Sequence, residues 1–180
     1  NLTQGWCDSP LSQLGVKQVE NMSLQLKDYC INKAYTSPLG RAVETSEIIL
    51  QGHNIAPIYD KRLKEVNFGI LEGINTQLVR KLHVETADWV DTLEMDYRPY
   101  AGEDLHSVIT RQVEAINDIL ANSQEDDTIL VVGHGCSLYG LLKTLIPHDA
   151  RLRFPDNATA IIVDCKEGHY SLDTILNVVY

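Results

Sequence analysis

The segment TILVVGHGCSLYGLLKTLIP (128–147) constrains the fold more than any other part of the chain. Thr128 to Val132 form a β-branched and apolar run of strand length, which predicts a strand buried on both faces. Gly133 ends it at once. From Cys136 an apolar run at helical spacing predicts a helix over 136–146, closed by Pro147. A strand that turns directly into a helix is the building unit of a parallel sheet. At the junction His134 stands between two glycines, where backbone can approach a ligand and a helix start offers N–H groups to an anion.

The rest of the chain repeats this alternation. Ser12 predicts an N-cap for a helix over 13–28, with Val19, Met22, Leu26 and Tyr29 on one face. Residues 33–37 read as a strand. Ser37-Pro38 reads as an N-cap followed by proline at the first helical position, opening a helix that ends near Gly52. Residues 55–59 form a strand that Pro57 assigns to a sheet edge. Residues 61–74 lack a period and carry two glycines, so they read as loop. Amphipathic helices are expected over 76–94 (Leu78, Leu82, Val90, Leu93) and 104–121 (Leu105, Val108, Ile109, Ile116, Ile119, Leu120). Residues 158–165 and 169–175 flank a turn and predict a terminal antiparallel hairpin. Alternating strands and helices predict a single domain over 1–180, a three-layer α/β/α sandwich with a mainly parallel central sheet. Ligands of such sheets collect at the carboxyl ends of the strands.

The 180 residues carry a net charge of −10, which argues against nucleic acid and anionic membranes as partners. An anionic ligand must therefore be held by a local positive site. The four cysteines lack a CxxC pair, and reduced thiols in a cytoplasmic protein fit them better than a disulfide framework. Cys30, Cys136 and Cys165 are expected to be buried as small apolar residues.

Three residues could carry chemistry. His134 sits at a strand end. Arg41 lies in the first turn of a helix, where a cation opposes the helix dipole and a bound anion would reverse that penalty. Glu65 lies in the glycine-bearing loop, and Glu72 competes with it for an acid–base role. Each also has an ordinary structural reading, as a turn residue, a surface ion pair or a solvated carboxylate. Other chemistries fail on spacing: no nucleophile elbow, no dinucleotide fingerprint and no metal-ligand pattern is present.

Taken in order, QGWCDSPLSQLGVKQ (4–18), TSPLGRAVETSEII (36–49), RLKEVNFGILEG (62–73), GEDLHSVITRQV (102–113), VVGHGCSL (131–138) and PDNATAIIVD (155–164) resemble the histidine phosphatase, or phosphoglycerate mutase-like, superfamily. The resemblance implies hydrolysis of small phosphomonoesters through a phosphohistidine, with neither cofactor nor metal. It implies that His134 donates to the transferring phosphoryl group, that Glu65 protonates the leaving alcohol, and that Arg41, Asn1, Gln4, Gly5 and Gly135 bind substrate. A non-catalytic phospholigand-binding module of the same fold and a phosphoglycerate mutase are the alternatives, and a homodimer is left open. The family's nucleophile lies in an Arg-His-Gly motif on a central strand. These residues contain no such motif, and the expectation is that it lies just upstream of Asn1. Walls of the substrate pocket are expected from Trp89, Tyr97, Arg98 and Tyr100.

Overall fold

The computed structural model describes residues 2–82 and 92–178. Helix α1 (Gln13–Leu26) starts where the sequence places it, with Ser12 Oγ accepting from Gly15 N at 3.1 Å. It ends two residues early, and Val19, Met22 and Leu26 are its buried face. Strand β1 (Ile31–Thr36) follows, then helix α2 (Gly40–Ile49) and the two-residue strand β2 (Ile58–Tyr59). Short 3-10 turns at Lys61–Leu63 and Gly69–Leu71 punctuate the predicted loop. Helix α3 covers Thr76–Leu82. Helix α4 (Leu105–Ala121) is capped by Asp104, whose carboxylate accepts from Ser107 N. Strand β3 (Thr128–Val132) runs into helix α5 (Gly135–Leu145), and strands β4 (Ala160–Lys166) and β5 (His169–Leu176) close the chain.

The sheet order β2-β1-β3 is parallel throughout, with Thr36 opposite Val132 and Tyr35 opposite Ile58. Its carboxyl ends are joined beyond the strands, because Ser37 N donates to Val132 O at 2.9 Å. Pro57 does lie next to an edge strand, as the missing donor requires. The terminal strands pair antiparallel across Glu167 and Gly168, both at positive φ (50° and 78°), the backbone of a tight two-residue turn.

Three buried clusters are found among the described residues, one of them formed by Tyr139, Ile146, Leu152 and Leu172. Val19, Met22 and Leu26 of α1 pack with Ile31 and Ala34 of β1 and with Ile49 and Leu50. Leu130, Ala160, Ile162 and Leu176 pack against the same cluster, so the hairpin shares the core of the parallel sheet. The second core gathers Val66, Phe68, Leu71, Val79, Met95, Tyr97, Leu105 and Val108, with Cys136 beside it. It lies under the loop that carries Glu65.

Several expectations change. Ser37 is not an N-cap: α2 begins at Gly40, and Asp8 from a distant segment accepts from Gly40 N and, at 3.5 Å, from Arg41 N. A local signal was overridden by a carboxylate brought in by the fold. On α3 Val79 is buried, while Leu78 is half exposed. Leu93 lies beyond α3 at positive φ, and 83–91 fall outside the described residues. On α4 the fully buried stripe runs through Leu105, Val108, Gln112, Ala115 and Ile119, with Ile109, Ile116 and Leu120 only partly covered. Strand β3 is half-buried except at Val132, since among the described residues it pairs on one edge only. Cys30 is exposed, and all four cysteines are free.

Candidate active site

The paired ends of β1 and β3 set Ser37 and His134 side by side. Ser37 Oγ and His134 Nε2 share a 2.8 Å hydrogen bond, and both residues are buried. Burial pulls the His134 ring down to a pKa of about 3, the Arg41 and Arg111 cations adding to the shift while Asp8 opposes it. His134 is therefore neutral near pH 7.

Arg41 enters from the first turn of α2. Its Nη2 donates to Gly5 O at 2.8 Å and its Nη1 to Cys7 O at 3.1 Å, with Asp8 Oδ1 at 3.4 Å. The dipole cost of a cation here is repaid by Asp8 at the helix start. Burial works against ionisation of Asp8, but the N–H groups of Gly40 and Arg41 and the Arg41 charge outweigh it and hold the carboxyl below its usual range. Gly5 is required at this approach: a Cβ there would lie 2.2 Å from Val66 O and 2.7 Å from Glu72 Oε1.

Glu65 reaches the same junction from the loop side. Its Oε1 accepts from Val66 N and Ser137 N, both at 2.9 Å, and its Oε2 accepts from Cys136 N at 3.1 Å. The side chain is 6% exposed. Burial raises its pKa, and the three backbone donors oppose that rise. The carboxyl thus holds its proton more readily than a solvated glutamate. The N–H groups that the sequence offered to an external anion at α5 are occupied by Glu65. Glu72 does different work: its carboxylate accepts from Trp6 N at 2.8 Å, Phe68 N at 3.2 Å and Cys7 N, tying down the Gly5–Asp8 loop.

A family model, the histidine phosphatase superfamily (branch 1), matches residues 1–178. The chain belongs to that superfamily. It is 34% identical over 146 residues to the probable phosphoglycerate mutase GpmB of Proteus mirabilis, covering 79% of this chain and 66% of that protein. The chain thus spans just under two thirds of the curated relatives' length. The phosphoglycerate mutase structure from Bacillus anthracis str. Sterne superposes with a TM-score of 0.86 at 27% identity, over 96% of this chain and 84% of the other. The alpha-ribazole phosphatase of Shigella flexneri shares the fold alone, at 24% identity and a TM-score of 0.80, over 99% and 89% of the two chains.

In this superfamily member the structure brings His134, Arg41, Glu65, Gly5 and Gly135 to one end of the sheet. Gly135 is the first residue of α5, and a Cβ there would sit 3.2 Å from the Phe154 ring. Gln4 is exposed and donates to Ser9 Oγ at 2.7 Å, so its side chain braces the loop. Asn1 and Trp89 lie outside the described residues. Of the expected walls, Tyr97 is buried edge-on against Phe68 and belongs to the core. Arg98 is exposed and paired with Asp96. Among the described residues no group of three or more His, Cys, Asp or Glu side chains could hold a metal ion, and no helix is long and apolar enough to cross a membrane.

Sequence reasoning missed Asp8, Ser37 as the His134 partner, and Arg111. Only Arg111 left a signal. It is a cation adjacent to the buried stripe of α4, where an unpaired charge would be costly.

Proposed function

We propose that this histidine phosphatase superfamily member binds a small phosphomonoester between Arg41 and His134 and takes part in its hydrolysis through a phosphohistidine. What carries the reading is a buried His134 at the joined ends of β1 and β3, with Arg41 in the first turn of the helix that follows β1. A phosphate dianion arriving there would be forked by the guanidinium and would draw a proton onto the ring. A histidine nitrogen attacks phosphorus as the ester P–O bond breaks, and the departing oxygen takes the Glu65 proton. Water then attacks phosphorus, the P–N bond breaks to release the histidine nitrogen and inorganic phosphate, and the water's proton returns to the Glu65 carboxylate. Positioning and charge neutralisation supply most of the acceleration in such a transfer. The free thiols fit a cytoplasmic setting.

The attacking histidine is expected from an Arg-His-Gly motif, and the 180 residues contain none. The second reading is a module of the same fold that binds phospholigands without turning them over, which Arg41 and His134 would serve equally. Titration calorimetry with inorganic phosphate and vanadate tests both. The chain should bind, and Arg41→Ala should weaken binding roughly 10–100-fold, the worth of a charge-assisted hydrogen bond. The chain preceded by a strand ending in Arg-His-Gly should form an acid-labile phosphoenzyme from p-nitrophenyl phosphate or phosphoglycerate. Binding without phosphoenzyme selects the second reading. No anion binding by either protein overturns both.

A further inference from the structure

Glu65 sits in a segment without strand partners, yet its carboxylate must be aimed to within a fraction of an ångström to meet Cys136 N and Ser137 N. What aims it is one side chain of α4. Arg111 spends all five of its N–H donors on this loop and its brace. Nη1 donates to Arg62 O at 2.5 Å and Lys64 O at 2.8 Å, and Nη2 to Glu65 O at 2.9 Å. The remaining donors fork onto Glu103, with Nε to Oε1 at 3.2 Å and Nη2 to Oε2 at 3.1 Å. Glu103 Oε2 in turn accepts from Asn67 N at 2.9 Å, and Glu103 N donates to Asn67 O at 2.8 Å. The pair therefore grips the backbone on both sides of Glu65. Trp6 Nε1 is the second donor to Glu65 O, at 3.0 Å. Both charged side chains are mostly covered, at 17% and 22% exposure, so the fork is poorly screened.

We propose that Arg111, braced by Glu103, is a positioning residue that fixes the Glu65 carboxylate on the start of α5. The inference rests on the reading of Glu65 as proton donor for its use in turnover, but the contact itself is testable without turnover. Arg111→Lys is the informative change. It keeps the positive charge that acts on His134 and removes the planar fork, leaving three donors where five are used.

The amide resonances of Cys136 and Ser137 report the Glu65 carboxyl directly. In the wild type they should titrate with it, and Glu65→Gln should abolish that step. In Arg111→Lys the step should lose half its amplitude or more, with Glu103→Gln intermediate. An unchanged amplitude and midpoint in Arg111→Lys overturns the proposal whether or not the protein turns over. If phosphatase activity is present, Arg111→Lys should cut kcat about tenfold or more for an alkyl phosphate, which needs a proton on its leaving oxygen. It should change p-nitrophenyl phosphate, which does not, less than about twofold, with KM steady in both. Equal losses on the two esters refute a positioning role. Absence of hydrolysis by the chain preceded by a strand ending in Arg-His-Gly removes the hydrolytic reading, and the amide titration still decides the placement of Glu65.

Discussion

Replacing His134 by glutamine should flatten the acid side of the stability profile. Unfolded, the ring takes its proton near 6.5; folded, it does so only at about 3. Between those values the unfolded chain binds the extra proton, so stability falls as pH drops through 6.5 and the loss is complete by about 3. At pH 4.5, two pH units into that window, the cost is roughly 2.7 kcal/mol against almost nothing at pH 7. At 8% exposure, screening discounts this little. Glu65 runs the other way: its raised pKa adds stability as pH falls through the folded value, but it does so equally in both proteins. His134→Gln keeps a partner for Ser37 and has no charge to acquire. Urea unfolding at pH 7 and 4.5 should therefore show the wild type losing about 2.5 kcal/mol more than the variant. Saturating phosphate should shrink that gap by stabilising the protonated ring. Parallel profiles for the two proteins would refute a buried neutral His134 and, with it, the electrostatic argument for an anion there.

Glu65→Gln should lower turnover of an alkyl phosphate by roughly 10²–10⁴. Glu72→Gln should act mainly by loosening the Gly5–Asp8 loop, weakening phosphate binding through Arg41; a dead Glu72→Gln beside an active Glu65→Gln would reverse the assignment. Gly5→Ala should lower stability by about 1–3 kcal/mol in thermal unfolding, because its Cβ would sit against Val66 O and Glu72 Oε1. A melting temperature unchanged from wild type would contradict the packing described for that loop.

The junction at Gly133 to Gly135 could be read from sequence because its causes are local: a β-branched run, two glycines and a helical period. The Ser12 cap, the edge position beside Pro57 and the terminal hairpin were legible for the same reason. Ser37 was misread because its helix-capping chemistry was real but outcompeted by Asp8, more than thirty residues away in sequence. The exposure of Leu78 and the burial of Val79 depend on which face of a short helix meets the second core, which periodicity over two turns does not decide. Of the site, the types and order of His134, Arg41 and Glu65 were visible. That Glu65 occupies the start of α5, and that Arg111 grips its backbone, needed the tertiary contacts.

The seat that α5 gives Glu65 has a consequence for how such sequences are read or redesigned. A carboxylate on two helix N–H groups is a stabilising cap, so screening for thermal robustness alone would retain Glu65 in a protein that had lost every catalytic function. Its presence in a chain is evidence that the helix needs an anion, and only secondarily that a proton is delivered. A designer who wants to preserve the fold should therefore leave this carboxylate in place.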